Sequence, residues 1–216
     1  MKKKALRKDF RVEIRKSLNR FLSIFFIVAL GVAFYSGIQS AAPSMRKTGD
    51  AYFDDYALMD IRVMGTLGLT EEDLDAMREV EGVEHVSGCY MEDVYCGEGD
   101  TKVVLHVDSM ADDMNKPAVT SGELPDEEGE CFLDELYAQE MGYEPGDTIR
   151  ITVDDEENST LKRREFTVSG CGYSPTYISF ERGSTTLGTG SLSGFLYVLP
   201  EDFDTDVYSV AYLRAE

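Results

Sequence analysis

The sequence predicts an α+β fold held outside a membrane by one N-terminal transmembrane helix. Residues 21–38, FLSIFFIVALGVAFYSGI, run eighteen positions without a charge. Charge changes sign across that run. The first twenty residues hold nine Lys and Arg against Asp9 and Glu13, a net +7; since the whole chain carries −20, the remainder carries −27. Beyond the run, helix starts are interleaved with strand-like stretches rich in Val, Ile, Tyr and Phe, so the acidic part folds despite its charge.

The apolar run comes first in chain order. A bilayer core of about 30 Å needs about 20 apolar residues at helical rise, and about 17 suffice. The charge-free window continues to Met45, which leaves room for tilt. Phe21, Phe25, Phe26, Val28, Leu30, Val32, Phe34 and Ile38 are the residues expected to meet membrane lipid. Lys and Arg beside a first hydrophobic segment hold that end in the cytoplasm, so the expected address is the cell membrane, with the N-terminus inside and the bulk of the chain extracytoplasmic. A cleaved signal peptide is the competing reading, with Ser40, Ala41 and Ala42 as the peptidase site. Pro43 directly downstream weighs against it, as does an apolar run longer than the usual signal core of about 7–15 residues.

Within residues 1–20, Leu6, Phe10, Ile14 and Leu18 recur every fourth position, with cations on the other faces. That spacing is an amphipathic helix suited to the inner leaflet; a fortuitously patterned basic end is the plainer alternative. Residues 39–56 then read as a membrane-proximal linker.

Residues 57–115 read as a small α+β subdomain. Residues 57–63 alternate as a strand, and Thr70 caps a helix whose first turn is acidic and whose Leu74 and Met77 face inward. Gly82 closes the helix, residues 83–96 form one long strand, and the turn at 97–100 leads into a strand over 101–108. Pro117, Gly122 and Pro125 then break the chain, and residues 116–194 read as an inserted β-rich subdomain. There Asp134 caps a short helix ended by Gly142, Pro145-Gly146-Asp147 turns into a strand, and the acidic stretch 154–159 is a hairpin tip. Residues 195–216 read as strands returning to the first sheet.

The order of motifs is similar to a known family. A basic amphipathic segment, one span, then Gly122-Glu-Leu-Pro125, Glu130-Cys-Phe-Leu133, Ala138, Gly142, Gly146-Asp147-Thr-Ile149 and Phe166-Thr-Val-Ser-Gly170 resembles the FtsX-like/MacB-like ABC transporter permeases. Asp60-Ile-Arg-Val63 and the stretch from Ser174-Pro-Thr-Tyr177 to Phe195 resemble the large multi-span permeases within it. The resemblance implies a MacB-like extracytoplasmic domain, a cytoplasmic ABC ATPase as partner, and a homo- or pseudo-dimer of permease subunits. It implies export or mechanical signalling, in which ATPase motion passes outward. The family carries at least four spans and this sequence carries one, so the expectation is an N-terminal part of a longer permease. A single-pass anchored binding or sensor domain is the alternative from another class.

Residues that would carry chemistry are sparse, and neither an enzyme nor a cofactor is expected. His85 and His106 lack companions at metal-ligand spacing. No nucleophile elbow or phosphate-binding loop occurs. Lys162-Arg-Arg164 is too small a basic cluster for nucleic acid. Cys89, Cys96, Cys131 and Cys171 permit disulfides outside the membrane, with buried free thiols as the other state. Cys89 and Cys96, an odd offset apart, point to opposite faces of one strand. Asp154, Asp155, Glu156 and Glu157 lack the alternating ligand pattern of a calcium loop and read as a solvated turn. Tyr173, Tyr177 and Phe180, beside the Gly/Ser/Thr stretch 183–194, are candidates for a partner surface, or equally for a loop anchored by aromatics over the β-rich part.

Overall fold

A computed structural model describes residues 2–99 and 102–215, with the side chains of 2–7 and 14 outside the description. The chain forms two compact units, residues 1–52 and 53–216.

The first unit is helical. Helix α1 (Lys2–Lys16) and helix α2 (Leu18–Asp55) are interrupted only at Ser17, where the amide still donates to Glu13 O at 3.1 Å and the hydroxyl donates to the same carbonyl at 2.9 Å. Helix α2 has 38 residues, a rise of about 57 Å, which is nearly twice a bilayer core of about 30 Å. The segment expected as a linker, 39–56, is therefore helical through Asp55. Pro43 sits inside it and withholds one backbone donor without ending the helix.

In the second unit, strand β1 (Ile61–Val63), helix α3 (Glu71–Arg78) and strand β2 (Val83–Cys89) come first. The α3 start is a full capping box: Thr70 Oγ1 accepts from the Asp73 amide at 3.4 Å, and an Asp73 oxygen accepts from the Thr70 amide at 2.8 Å. Removing the hydroxyl in Thr70→Ala orphans one of the first-turn amides and should cost about 1 kcal/mol, read as a lower urea midpoint at unchanged slope.

Strands β3 (Met91–Cys96), β4 (Val103–Ser109), β5 (Ala118–Gly122) and β6 (Glu130–Asp134) follow, then helix α4 (Glu135–Met141). Next come β7 (Thr148–Thr152), β8 (Glu165–Tyr173), β9 (Gly194–Val198), a 3₁₀ turn (Pro200–Asp202) and β10 (Val210–Ala215). They make two sheets. The smaller is antiparallel in the order β1-β10-β2, with Leu74 of α3 packed on one face beside Val86, Ala211 and Leu213. The larger runs β5-β8-β6-β9-β4-β3-β7, and β7 pairs again with β8, closing six strands into a barrel. Period-two alternation fills its interior: Val94 and Cys96, Leu105 and Val107, Leu133, Ile149, Phe166 and Leu196 point inward.

The barrel corrects three expectations. Residues 83–96 are two strands, because Tyr90 turns the chain: its amide donates to Ser109 Oγ at 2.9 Å and its ring stacks between Phe203 and Tyr208. The division between the two sheets thus falls at Tyr90, and β3 and β4 join the barrel instead of a subdomain ending at 115. Strand β9 also belongs to the barrel, antiparallel to β6 and parallel to β4, so β10 is the strand that returns to the smaller sheet. Strand β8 serves both halves of one edge: residues 165–167 pair with β7, and its Gly170 and Gly172 let β5 lie against the rest, where a Cβ at Gly172 would strike Ala118 O.

Candidate functional site

Two surfaces carry the functional candidates. The first is the span. All eight lipid-facing candidates are exposed, and no described residue of α2 is buried. Phe21 stacks on Phe25 at 6.4 Å, and Phe25 meets Phe26 edge-on at 5.7 Å, so local contacts leave the apolar surface unspent. On the amphipathic stripe, Phe10 and Leu18 are exposed, while the side chains of Leu6 and Ile14 lie outside the described residues. Within α2, residues 21–38 are apolar and exposed, long enough to cross a membrane by length and composition.

The second surface is a strap, residues 174–193, laid over the outer face of the barrel across β6, β9, β4 and β3. At its start Ser174 and Thr176 hydroxyls share the Tyr197 hydroxyl, at 2.7 and 3.2 Å. The Tyr177 ring lies flat on Phe195, 4.7 Å between centroids and 8° between planes. Its hydroxyl donates to Asp108 Oδ2 at 2.9 Å, and burial together with that carboxylate pushes the phenol pKa up, so it remains a neutral donor. Arg182 then dives under the strap. Its guanidinium is 5% exposed and forks onto Asp134, which is 0% exposed, at 2.7 and 2.8 Å. The same guanidinium donates to Tyr177 O and Ser179 O at 2.8 and 2.6 Å. Asp134 also caps α4 through the Leu136 amide at 3.2 Å, so both its oxygens are used.

A half-buried histidine lies between two carboxylates beneath the strap. His106 faces Asp93 directly across the β3–β4 pair, and Asp108 is two positions on along β4, on the same side. Nδ1 contacts Asp93 Oδ1 and Nε2 contacts Asp108 Oδ1 at 3.3 Å. The free oxygen of each carboxylate takes a hydroxyl of the strap, Tyr177 on Asp108 and Thr185 on Asp93 at 2.5 Å. Burial alone would push the imidazolium down, but the charge and hydrogen bond of Asp108, with those of Asp93, override it and hold the group at about 10.

That shift sets a direction for stability. A histidine at about 6.5 in the unfolded chain and about 10 when folded stabilises fully below 6.5, and the contribution is lost as pH rises toward 10. Above about pH 9 the Cys89 thiol, pushed up to about 12 by burial, adds a loss of its own. The interval from about 6.5 to 8.5 therefore isolates the imidazole, and at up to 1.36 kcal/mol per pH unit the fold should lose about 2–3 kcal/mol there. Urea midpoints across that range should fall in the wild type and stay flat in His106→Gln.

Of the three candidates for a partner surface, the structure separates Tyr177, which faces inward, from Tyr173 and Phe180, 40% and 91% exposed. Tyr177, stacked on Phe195, sits as a loop-anchoring aromatic, the other of the two readings the sequence leaves open for it. Ile178, 70% exposed, joins Phe180 at the apex. Phe180→Ser should change stability by less than about 0.5 kcal/mol, as measured by thermal unfolding, because that ring leaves little water on folding.

The remaining candidates are placed plainly. All four cysteines are free and buried. His85 Nε2 lies 3.2 Å from Asp112 O. At the acidic tip, Asp155 accepts from the Glu157 amide and the Asn158 side chain, and Glu156 pairs with Arg164 at 2.7 Å, so protein donors occupy two of the four carboxylates. Among the described residues no group of three or more His, Cys, Asp or Glu is placed to hold a metal. No local motif marks Arg182 in the sequence, and His106 gains Asp93 as a companion only through the β3–β4 pairing, with His-x-Asp, which places Asp108 on the same strand face, as its one sequence signal.

Comparison with known proteins gives a family. The family of the MacB-like periplasmic core domain matches residues 22–214. Among solved structures, the extracellular domain of the ABC-type transporter YknZ from Gram-positive bacteria is similar at 15% identity and TM-score 0.45, covering 74% of this chain and 81% of that one. The periplasmic region of MacB from Actinobacillus actinomycetemcomitans is similar at 12% identity and TM-score 0.43, covering 71% and 66%. A domain of a permease protein from Porphyromonas gingivalis gives 16% identity and TM-score 0.40, covering 69% of each. No curated protein matches.

Proposed function

The chain belongs to the MacB-like periplasmic core domain family, and from that premise we propose that it serves an ABC transporter permease by passing the motion of a cytoplasmic ATPase outward. The N-terminus lies in the cytoplasm, held there by the nine cations of residues 1–20, and α1 rests against anionic lipid headgroups. The barrel and the smaller sheet lie outside. The subunit works as one of a pair, for export or for mechanical signalling.

The observation that carries this reading is the length of α2. A helix needs about 20 residues to cross a bilayer core, and this one runs unbroken for 38. A displacement at its cytoplasmic end would be carried along the helix, whose ladder lacks one donor at Pro43, where a flexible linker would dissipate it. No catalytic constellation competes with that role among the described residues.

Affinity purification of the tagged chain from native membranes in mild detergent is the test. An ATPase carrying a phosphate-binding loop should come with it and be lost on deletion of residues 1–16. Recovery of the chain from membranes with no ATPase would overturn the proposal in favour of an anchored binding or sensor domain.

A further inference from the structure

The strap is attached to the barrel in an unusual manner. Among the described residues, none from 178 to 193 belongs to an apolar cluster; Leu187 and Leu192, the large aliphatic side chains past Arg182, are only half-buried. The segment is held instead by four polar contacts to three strands. These are Arg182 on Asp134 of β6, Thr185 on Asp93 of β3, the Gly188 amide on the Tyr95 hydroxyl at 3.1 Å, and the Ser193 amide on Val104 O of β4 at 2.8 Å. Gly183, Gly188 and Gly190 take positive φ angles of 126°, 53° and 85°, so the backbone is built from residues that also reach other conformations readily. The barrel interior is complete without the strap: β6, β9, β4 and β3 pair with one another and turn Leu133, Leu196, Leu105 and Val94 inward.

We propose that residues 178–193 are a latch that opens and closes on the barrel without unfolding it, with the Arg182–Asp134 ion pair as its catch and the Asp93–His106–Asp108 cluster as its second anchor. The energetic argument is a contrast between two kinds of attachment. Opening exposes charged groups that water solvates well and bares little apolar surface, whereas separating any two barrel strands exposes the core. Segments of that kind open locally at less than the global free energy. Opening uncovers Asp134 and lifts the Arg182 guanidinium from its place 5.8 Å from the Phe195 ring, on which Tyr177 stays stacked. It also frees Asp93 from Thr185. The outer face of the barrel therefore has a covered state with its carboxylates paired and an open state in which Asp134 is exposed and acidic.

The test is hydrogen exchange on the full chain in lipid nanodiscs. A single Arg182 substitution would strand a buried carboxylate, so the informative variant is R182M/D134N, which removes both charges and keeps an α4 cap. Backbone amides of 179–192 should exchange about tenfold faster or more, while those of β4, β6 and β9 stay within about twofold of wild type. Equal acceleration in strap and strands would overturn the proposal, as would no acceleration or a variant that does not fold, since each denies an independent latch. A second measurement leaves the catch intact. Trypsin at pH 8 should cut after Arg182 about tenfold faster in H106Q than in wild type with circular dichroism unchanged, and an unchanged cutting rate would count against the anchor role of His106.

Discussion

Leu30→Arg should remove most of the chain from the membrane. Leu30 lies at the middle of residues 21–38 and is 73% exposed on the helix surface. Arginine at a helix centre costs about 2.5–3.5 kcal/mol on insertion where leucine contributes about −0.5, a change of about 3–4 kcal/mol, or some two to three powers of ten in the insertion equilibrium. The charge-free apolar run of residues 21–38 only just reaches the length a bilayer core needs, so little reserve remains. Extraction of membranes with alkaline carbonate should leave wild type and Leu30→Ile in the pellet and release the arginine variant. Retention of Leu30→Arg in the pellet would mean that something other than this helix anchors the chain.

Phe166→Ala should have the largest effect on the outer unit. Phe166 is 1% exposed, pairs with Ile149 across β7 and β8, and fills the barrel where that ring of strands closes. Truncating a buried phenylalanine costs about 3–5 kcal/mol, the lost transfer energy plus the cavity, because neighbouring strands relax only partly. Chemical denaturation should show the midpoint falling by that amount with little change in slope, and Phe166→Leu should recover more than half. An effect below about 1 kcal/mol would place Phe166 outside the interior and undo the closed barrel.

The parts of the fold that depend on neighbouring residues were legible in the sequence. Thr70 with Asp73 and Asp134 before Glu135 announced helix starts, Gly142 an end, and residues 21–38 a span, because capping and hydrophobic length are local physics. Strand partners were less legible. The parallel pairings of β4 with β9 and β6 with β8 join residues far apart in sequence, and both faces of β4 are largely buried, which hides the alternation that marks a strand's sheet. Tyr90 divides two sheets, and the nearest glycine, Gly88, lies inside β2 and does not mark the division. Of the site, the apex at Phe180 could be read from an apolar residue amid polar ones. Tyr177 could not, since its inward turn depends on Phe195, eighteen residues away. The burial of Arg182 was not legible either, since its partner Asp134 lies 48 residues away.

The central claim is a direction across the membrane: cations inside, barrel outside. Alkaline phosphatase folds to an active enzyme only where its disulfides form, outside the cytoplasm. Joined after Glu216 in the full chain, it should be active, and the same reporter placed after Lys16 should be inactive. Activity after Lys16 with none after Glu216 would contradict the account, because the strap, the barrel and both sheets would then share a compartment with the ATPase they are proposed to receive motion from.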